Sequence, residues 1–167
     1  MRHPALVIIK PDGISKDLAG PIFTKFAEAK LEIIAIKIAK ATRALAEMHY
    51  EHLKDEPFFE DIINYLIGKY HKQKKLLAII YYGRDAIKKC RKIAGATNPE
   101  EADPASIRGS FGRITTKGLY ENVVHVSSSS AEARREIRLW FKPDDITAPL
   151  YPTKFKSVET HKERLWK

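Results

Sequence analysis

The 167-residue chain holds a single cysteine, Cys90. One thiol makes no internal disulfide and no cysteine-built zinc site, and it suits a reducing compartment. Long hydrophobic runs are missing as well: no apolar stretch reaches the ~20 residues that cross a bilayer. The opening Met1-Arg2-His3-Pro4 leads straight into a short strand-like stretch, without the apolar h-region of a secretory signal. Asn-x-Ser/Thr sequons and internal repeats are absent, and Ser127 to Ser130 is the one low-complexity patch. The expectation is a soluble, cytoplasmic protein with no membrane partner. Acids are scarce where the bases gather. Lys and Arg number 30 against 21 Asp and Glu, a net charge of +9. Between Lys69 and Lys92 stand nine bases and one acid, Asp85, so nearly the whole excess lies in one segment. A surplus this local points to an anionic partner at one place, and nucleic acid fits that description.

Familiar nucleotide and metal strings are also lacking. There is no G-x-x-x-x-G-K-[ST], no G-x-G-x-x-G, no H-E-x-x-H and no acidic calcium loop, and the protein kinase set is absent. Arg108-Gly109-Ser110-Phe111-Gly112 looks faintly like an RNA-binding string, but its aromatic spacing fails.

What remains is one domain's worth of chain. Hydrophobic residues make up 44% and charged residues 31%, enough to bury a core without staples. Leu6 to Ile9 reads as a buried strand stopped by the turn Pro11-Asp12-Gly13. Gly20-Pro21 opens a helix carrying Ile22, Phe23 and Phe26. Residues 32–40 alternate as a half-buried strand, with Ile34, Ile36 and Ile38 on one face and Lys37 on the other. Helices are expected over 44–53 and 58–70, the second with Phe58, Ile62, Tyr65 and Leu66 at helical spacing. Residues 76–82 read as a strand ended by Gly83. Residues 85–94 form a helix with Cys90 inside, stopped by Gly95. Residues 96–118 read mostly as loop, which at this length is usually functional or disordered. A strand follows over 122–127. Ser129-x-x-Glu132 then opens a helix ending at Trp140. Stripped of extra helices, the order is β-α-β-β-α-β. This is the ferredoxin-like α+β plan: a four-stranded antiparallel sheet with helices packed on it. Residues 1–148 form the domain, and 149–167 read as a surface arm.

Several side chains stand where chemistry is possible. His125 lies in the strand Asn122-Val123-Val124-His125-Val126, just before four serines and a helix start. By alternation it shares a face with Val123. A neutral imidazole is a nucleophile at physiological pH, and a helix N-terminus attracts anions. A hydrogen-bonded core histidine fits the same pattern, and on these residues alone that reading weighs more. Glu136 sits beside the apolar face of the next helix, where it can orient an imidazole or pair with a surface arginine. Lys10 ends the first strand, either to hold a phosphate or as a solvated strand end. Arg84, Lys88 and Arg91 make a basic stripe on the helix whose inner side holds Cys90. Cys90 itself reads as core.

Five strings carry a resemblance. Ile9-Lys10-Pro11-Asp12-Gly13 is the first. His49-Tyr50, with Lys54-Asp55-Glu56-Pro57-Phe58-Phe59 after it, is the second. Arg91 through Gly95 and then Ala96-Thr97-Asn98-Pro99 is the third. Ser106-Ile107-Arg108-Gly109-Ser110-Phe111 and Asn122-Val123-Val124-His125 complete the set. In order, from about Leu6 to Asp145, they resemble the motifs of nucleoside diphosphate kinases. The resemblance implies a ferredoxin-like fold and ping-pong transfer of the ATP γ-phosphate to a nucleoside diphosphate through a phosphohistidine. It implies His125 as nucleophile and Glu136 as the group holding its other ring nitrogen. Lys10, Tyr50, Arg91, Thr97 and Arg108 would grip the phosphates. Asn122 would reach the sugar hydroxyl, and Phe58 would stack on the base. Magnesium would ride on the nucleotide phosphates, with no protein ligand set. The family also implies a homo-oligomer, with a hexamer favoured. A family member that binds nucleic acid, or an idle scaffold, is the alternative.

The departures from the family pattern are specific. Val126 stands for a glycine and Ser128 for an acid. His52 replaces an acidic residue, although Glu51 is adjacent. Ser110 replaces the aspartate of R-G-D-F, and Tyr82 a common glutamate. Insertions fall at 69–75 and within 113–121.

Overall fold

The computed structural model describes residues 2–156. In chain order the elements are β1 (Arg2–Ile9), α1 (Pro11–Ser15), α2 (Ala19–Ala27), β2 (Glu32–Lys40), α3 (Arg43–His49), α4 (Phe59–Leu66), β3 (Lys75–Arg84), α5 (Ala86–Ala94), α6 (Ile107–Phe111), β4 (Arg113–Ile114), β5 (Tyr120–Glu121), β6 (Val124–Val126) and α7 (Ser130–Trp140). Short 3₁₀ turns cover Glu51–Leu53 and Pro143–Asp145. Four strands form one sheet in the order β2-β3-β1-β6, every neighbouring pair antiparallel. That is the ferredoxin-like arrangement expected from the element order. The hairpin β4–β5 stands apart as a second, two-stranded sheet.

β1 runs through the middle, and Ala5 to Ile9 are all fully buried. Consecutive residues of a strand face opposite sides, so both faces of the sheet are covered here, not one. This is why the sequence reads as an unbroken apolar run. α5 and α7 pack on β1, through Ala86, Ile87, Cys90 and Ala94 and through Ala133, Ile137 and Trp140. Burial pushes the Cys90 thiol up to about 12, which fits a core role.

The differences from the sequence reading have local causes. A register shift between Ile33 and Ala35 interrupts the alternation of β2. Ile34 and Ala35 are buried, whereas Ile36 and Ile38 are 49% and 69% exposed. The extra residue of the bulge turns the rest of the strand over. The Pro-Asp-Gly turn is the first turn of α1, with proline at its start. The helix expected over 58–70 ends at Leu66, and Gly68 at φ +78° turns the chain away. The 96–118 stretch holds α6, capped by Ser106, whose hydroxyl accepts the Gly109 N–H at 3.2 Å. The strand expected over 122–127 is shorter, because Val123 sits at φ +56° and the Val124 N–H reaches back to the Asn122 carbonyl at 2.6 Å. Alternation therefore does not relate Val123 to His125. At α7, Ser129 accepts the Glu132 N–H at 3.2 Å, while Glu132 pairs with Arg135; only half of the capping box forms.

After the last 3₁₀ turn, Thr147 bonds the Ile34 carbonyl at the edge of β2. Tyr151 lies under Arg134 and Arg138 of α7, at 5.3 and 5.2 Å. The rest of the expected arm, 157–167, lies outside the described residues. Among the described residues no helix is long and apolar enough to cross a membrane.

Candidate active site

β6 is the edge strand beside β1, with His125 opposite Ile8, so the pairing with the buried β1 fixes the backbone that carries the imidazole. Its Nε2 lies 2.9 Å from Glu136 Oε1, and Glu136 Oε2 accepts the Ser127 hydroxyl at 2.5 Å. An ionised carboxylate only accepts, so Nε2 carries the proton and Nδ1 keeps its lone pair. Glu136 is 1% exposed and comes from α7, whose apolar residues fix its height over the sheet. Arg135 ties the same helix to α3, donating to the Met48 and His49 carbonyls at 2.6 and 2.9 Å.

His49 packs edge-on against His125, ring centroids 4.4 Å apart, and Tyr50 stands 6.3 Å away. Trp140 donates to His49 Nδ1 at 3.2 Å, which places the His49 proton on Nε2. Burial first, then the electrostatic influence of His125 and Arg135, holds His49 well below the usual imidazole range; it is a neutral ring. Burial, with Glu136 nearby, raises the Tyr50 phenol far above its ordinary value, so it stays a proton donor.

Two cations complete the wall. Lys10 stands between β1 and α1, is 5% exposed, touches Asn122 Oδ1 and lies 4.3 Å above the Tyr65 ring. Burial lowers its ammonium to about 7, opposed by Asp12 and assisted by Arg108. Arg108, on α6, donates to the Gly95 and Val124 carbonyls at 2.9 and 3.0 Å. Burial lowers it to about 10, with Tyr50 opposing and Arg91 assisting. Gly95 ends α5 at φ +86°, where an added Cβ would meet Ser106 Oγ at 2.2 Å. No side chain fits between the end of α5 and the cap of α6.

The structure thus joins His125, Glu136 and Tyr50 at one point. It links Lys10 to Asn122, and Asn122 to the Thr97 carbonyl at 2.8 Å. Arg108 bridges the two groups through the backbone of Val124. Arg91 is exposed on α5, within electrostatic reach of Arg108. Phe58 is 45% exposed just before α4 and makes no ring contact among the described residues. Sequence reading gave no role to Asp12, His49 or Tyr65. Asp12 is fully buried and accepts the Val123 N–H at 3.0 Å, which holds the left-handed turn before His125. Only its buried neighbours reveal this; in the sequence it is one acid of a turn. Lys69, Lys72, Lys74 and Lys75 are exposed, with no ion pair among the described residues.

Four of the buried side-chain atoms without a hydrogen-bond partner are Asp12 Oδ1, His49 Nε2, Tyr65 Oη and Arg108 Nε. All four line this region. Burial first, then the nearby Asp12, raises the Tyr65 phenol, while Asp12 Oδ2 is spent on the Val123 N–H. Native interiors leave few such atoms without a reason. His49, His125 and Glu136 offer ligand atoms within 4.8 Å of one another. Glu136 is engaged with His125 and Ser127, and His49 Nδ1 with Trp140. Two imidazoles and one occupied carboxylate are not the octahedral oxygen set that magnesium takes.

A histidine of fixed tautomer, with a buried arginine on the carbonyl of the residue before it and a buried lysine on the asparagine three residues before it, defines a class: α+β proteins equipped to pass an anionic group through an imidazole. The nucleoside diphosphate kinase family model matches residues 3–146. The nucleoside diphosphate kinase of Pyrococcus furiosus is 42% identical over 141 residues, 84% of this chain and 84% of that protein. That of Brugia malayi is 37% identical over 145 residues, 87% and 89% of the two chains. A Borrelia burgdorferi nucleoside-diphosphate kinase, solved as a transition-state mimic with vanadate and ADP, superposes with a TM-score of 0.77 at 28% identity, covering 93% of both chains. The Halobacterium salinarum enzyme in complex with CDP gives 0.78 at 29% identity, covering 87% of this chain and 91% of that one. The chain belongs to the nucleoside diphosphate kinase family.

Proposed function

We propose that the chain transfers the γ-phosphate of ATP to nucleoside diphosphates through a phosphorylated His125. The observation that carries this reading is the Ser127–Glu136–His125 relay, which leaves Nδ1 its lone pair on the residue after Val124, whose carbonyl holds the buried Arg108. In the first half-reaction the Nδ1 lone pair forms a bond to the γ-phosphorus, and the phosphorus–oxygen bond to ADP breaks. In the second, the terminal phosphate oxygen of a nucleoside diphosphate attacks the same phosphorus, and the nitrogen–phosphorus bond breaks. The ring gains positive charge as Nδ1 attacks, and the Glu136 carboxylate offsets it through Nε2–H. Phosphoryl transfer needs little beyond positioning and charge stabilisation. Lys10, Arg91 and Arg108 supply the charge, with Tyr50 and Thr97 as further phosphate contacts. Asn122 faces the sugar hydroxyl and Phe58 the base; stacking on a π-face accepts any base. Magnesium would arrive on the nucleotide phosphates and help neutralise their charge, since the residues here form no cage for it.

A homo-oligomer, with a hexamer favoured, belongs to the same proposal, as does a cytoplasmic setting. Support for assembly comes from β2, an edge strand with Ile33, Ile36 and Ile38 exposed. Thr147 covers this edge at the Ile34 carbonyl; an exposed apolar edge strand beyond it is a template for pairing. Initial rates at several ATP and nucleoside diphosphate concentrations test the catalytic reading. Parallel double-reciprocal lines are expected. Intersecting lines contradict a covalent intermediate, and a scaffold or polynucleotide-binding protein shows no turnover at all.

A further inference from the structure

Glu121 is a buried carboxylate that the reaction above does not use. It gathers three basic side chains: Lys16 at 2.9 Å, His71 at 2.9 Å and Arg113 at 2.6 Å. Burial alone would raise its pKa. Hydrogen bonds from Arg113, Lys16 and His71 outweigh that and hold it at about 2. His71 comes from residues 69–75, and Arg113 opens the β4–β5 hairpin that Glu121 itself closes. Lys16 ends α1. The two segments that interrupt the family spacing therefore meet on one carboxylate.

This meeting point adjoins the cleft by two routes. Asn122, which holds Lys10 and the Thr97 carbonyl, is the next residue. The His71 ring packs on Tyr65 at 5.2 Å, and Lys10 sits over the same Tyr65 ring. Val123 follows in a left-handed conformation that a β-branched residue adopts only when its surroundings impose it. Asp12 clamps that turn on one side, and Glu121 anchors the chain on the other.

We propose that Glu121 is a positioning residue for nucleotide binding: with His71 and Arg113 it joins residues 69–75 and β4–β5 into one brace that holds Asn122 and Lys10 in place. The inference rests on Lys10 and Asn122 being nucleotide contacts. Glu121 itself touches no substrate and acts through its neighbours.

Steady-state kinetics of variants test the brace. Glu121→Gln keeps the shape and removes the charge. It raises KM for the nucleoside diphosphate about tenfold and changes kcat by less than about twofold, the mark of lost binding without lost chemistry. His71→Gln raises KM in the same direction, and the double variant rises by less than the product of the two, since both break one brace. Arg113, whose side chain is 64% exposed, gives a variant that leaves the core intact. Arg113→Gln shows a smaller rise in KM and keeps the test open if Glu121→Gln does not fold. Unchanged KM in Glu121→Gln and Arg113→Gln overturns the brace, and so does a fall in kcat at constant KM. Phosphate uptake from ATP by the wild-type protein is the control. Its absence overturns the reading of the cleft itself; uptake together with unchanged KM overturns the brace alone.

Discussion

Lys10 shows how one buried side chain links structure to binding. Burial lowers its ammonium to about 7, so above that pH the free protein holds a mostly neutral amine. An arriving phosphate anion favours the charged form and raises the pKa again. Nucleotide binding at pH 8 therefore takes up a proton. The sign follows: affinity is full below about pH 7 and falls as pH rises through it, by up to about tenfold per unit. Calorimetry in buffers of different ionisation enthalpy checks this. Lys10→Met, which cannot titrate, is expected to bind weakly and lose the pH dependence. Glu136 makes a related point about residue types. In the sequence it is one of 21 acids; its role exists only because α7 packs it against β6, with Ser127 fixing its second oxygen.

Elements were legible in proportion to their length and regularity. β1 and β3 announce themselves by continuous apolar runs because both faces of the central strands are covered. α5 and α7 show helical spacing of buried residues and recognisable stops. α1 and α6 have five residues each, too short to display a period, and the 96–118 stretch therefore reads as loop. β2 misleads because its bulge breaks the alternation inside one strand, and the turn at Val123 cuts β6 short in the same way. The site's members were legible mainly through the five strings, since His125, Lys10 and Arg108 come from three separate elements whose meeting no local pattern encodes. Gly95 joins the end of α5 to α6, which carries Arg108. Gly95→Ala forces a side chain onto Ser106 in a conformation nearly reserved for glycine, and costs about 2–3 kcal/mol. Urea unfolding measures that loss, and the same variant should weaken nucleotide binding, since the Gly95 carbonyl holds Arg108.

At the scale of the whole molecule the basic excess divides into parts. Arg91 belongs to the proposed phosphate grip and Lys88 shares its exposed helix side, whereas Arg84, expected on the same helical stripe, is the last residue of β3 and pairs with Arg2. Lys69 and its neighbours surround the segment whose His71 braces the cleft. The proposed assembly would use β2, at the other edge of the sheet from β6. Ile36→Asp with Ile38→Asp, both on the exposed side of β2, should lower the mass seen in sedimentation while the fold persists by circular dichroism; an unchanged mass places the interface elsewhere. The central claim remains the covalent passage of phosphate through one ring nitrogen. Its most direct test is incubation with γ-labelled ATP, followed by isolation of the protein free of nucleotide. Covalent passage yields one acid-labile, base-stable phosphate per active chain, released to added nucleoside diphosphate and absent in His125→Ala. Wild-type protein that takes up no label, or His125→Ala that takes it up equally, contradicts it.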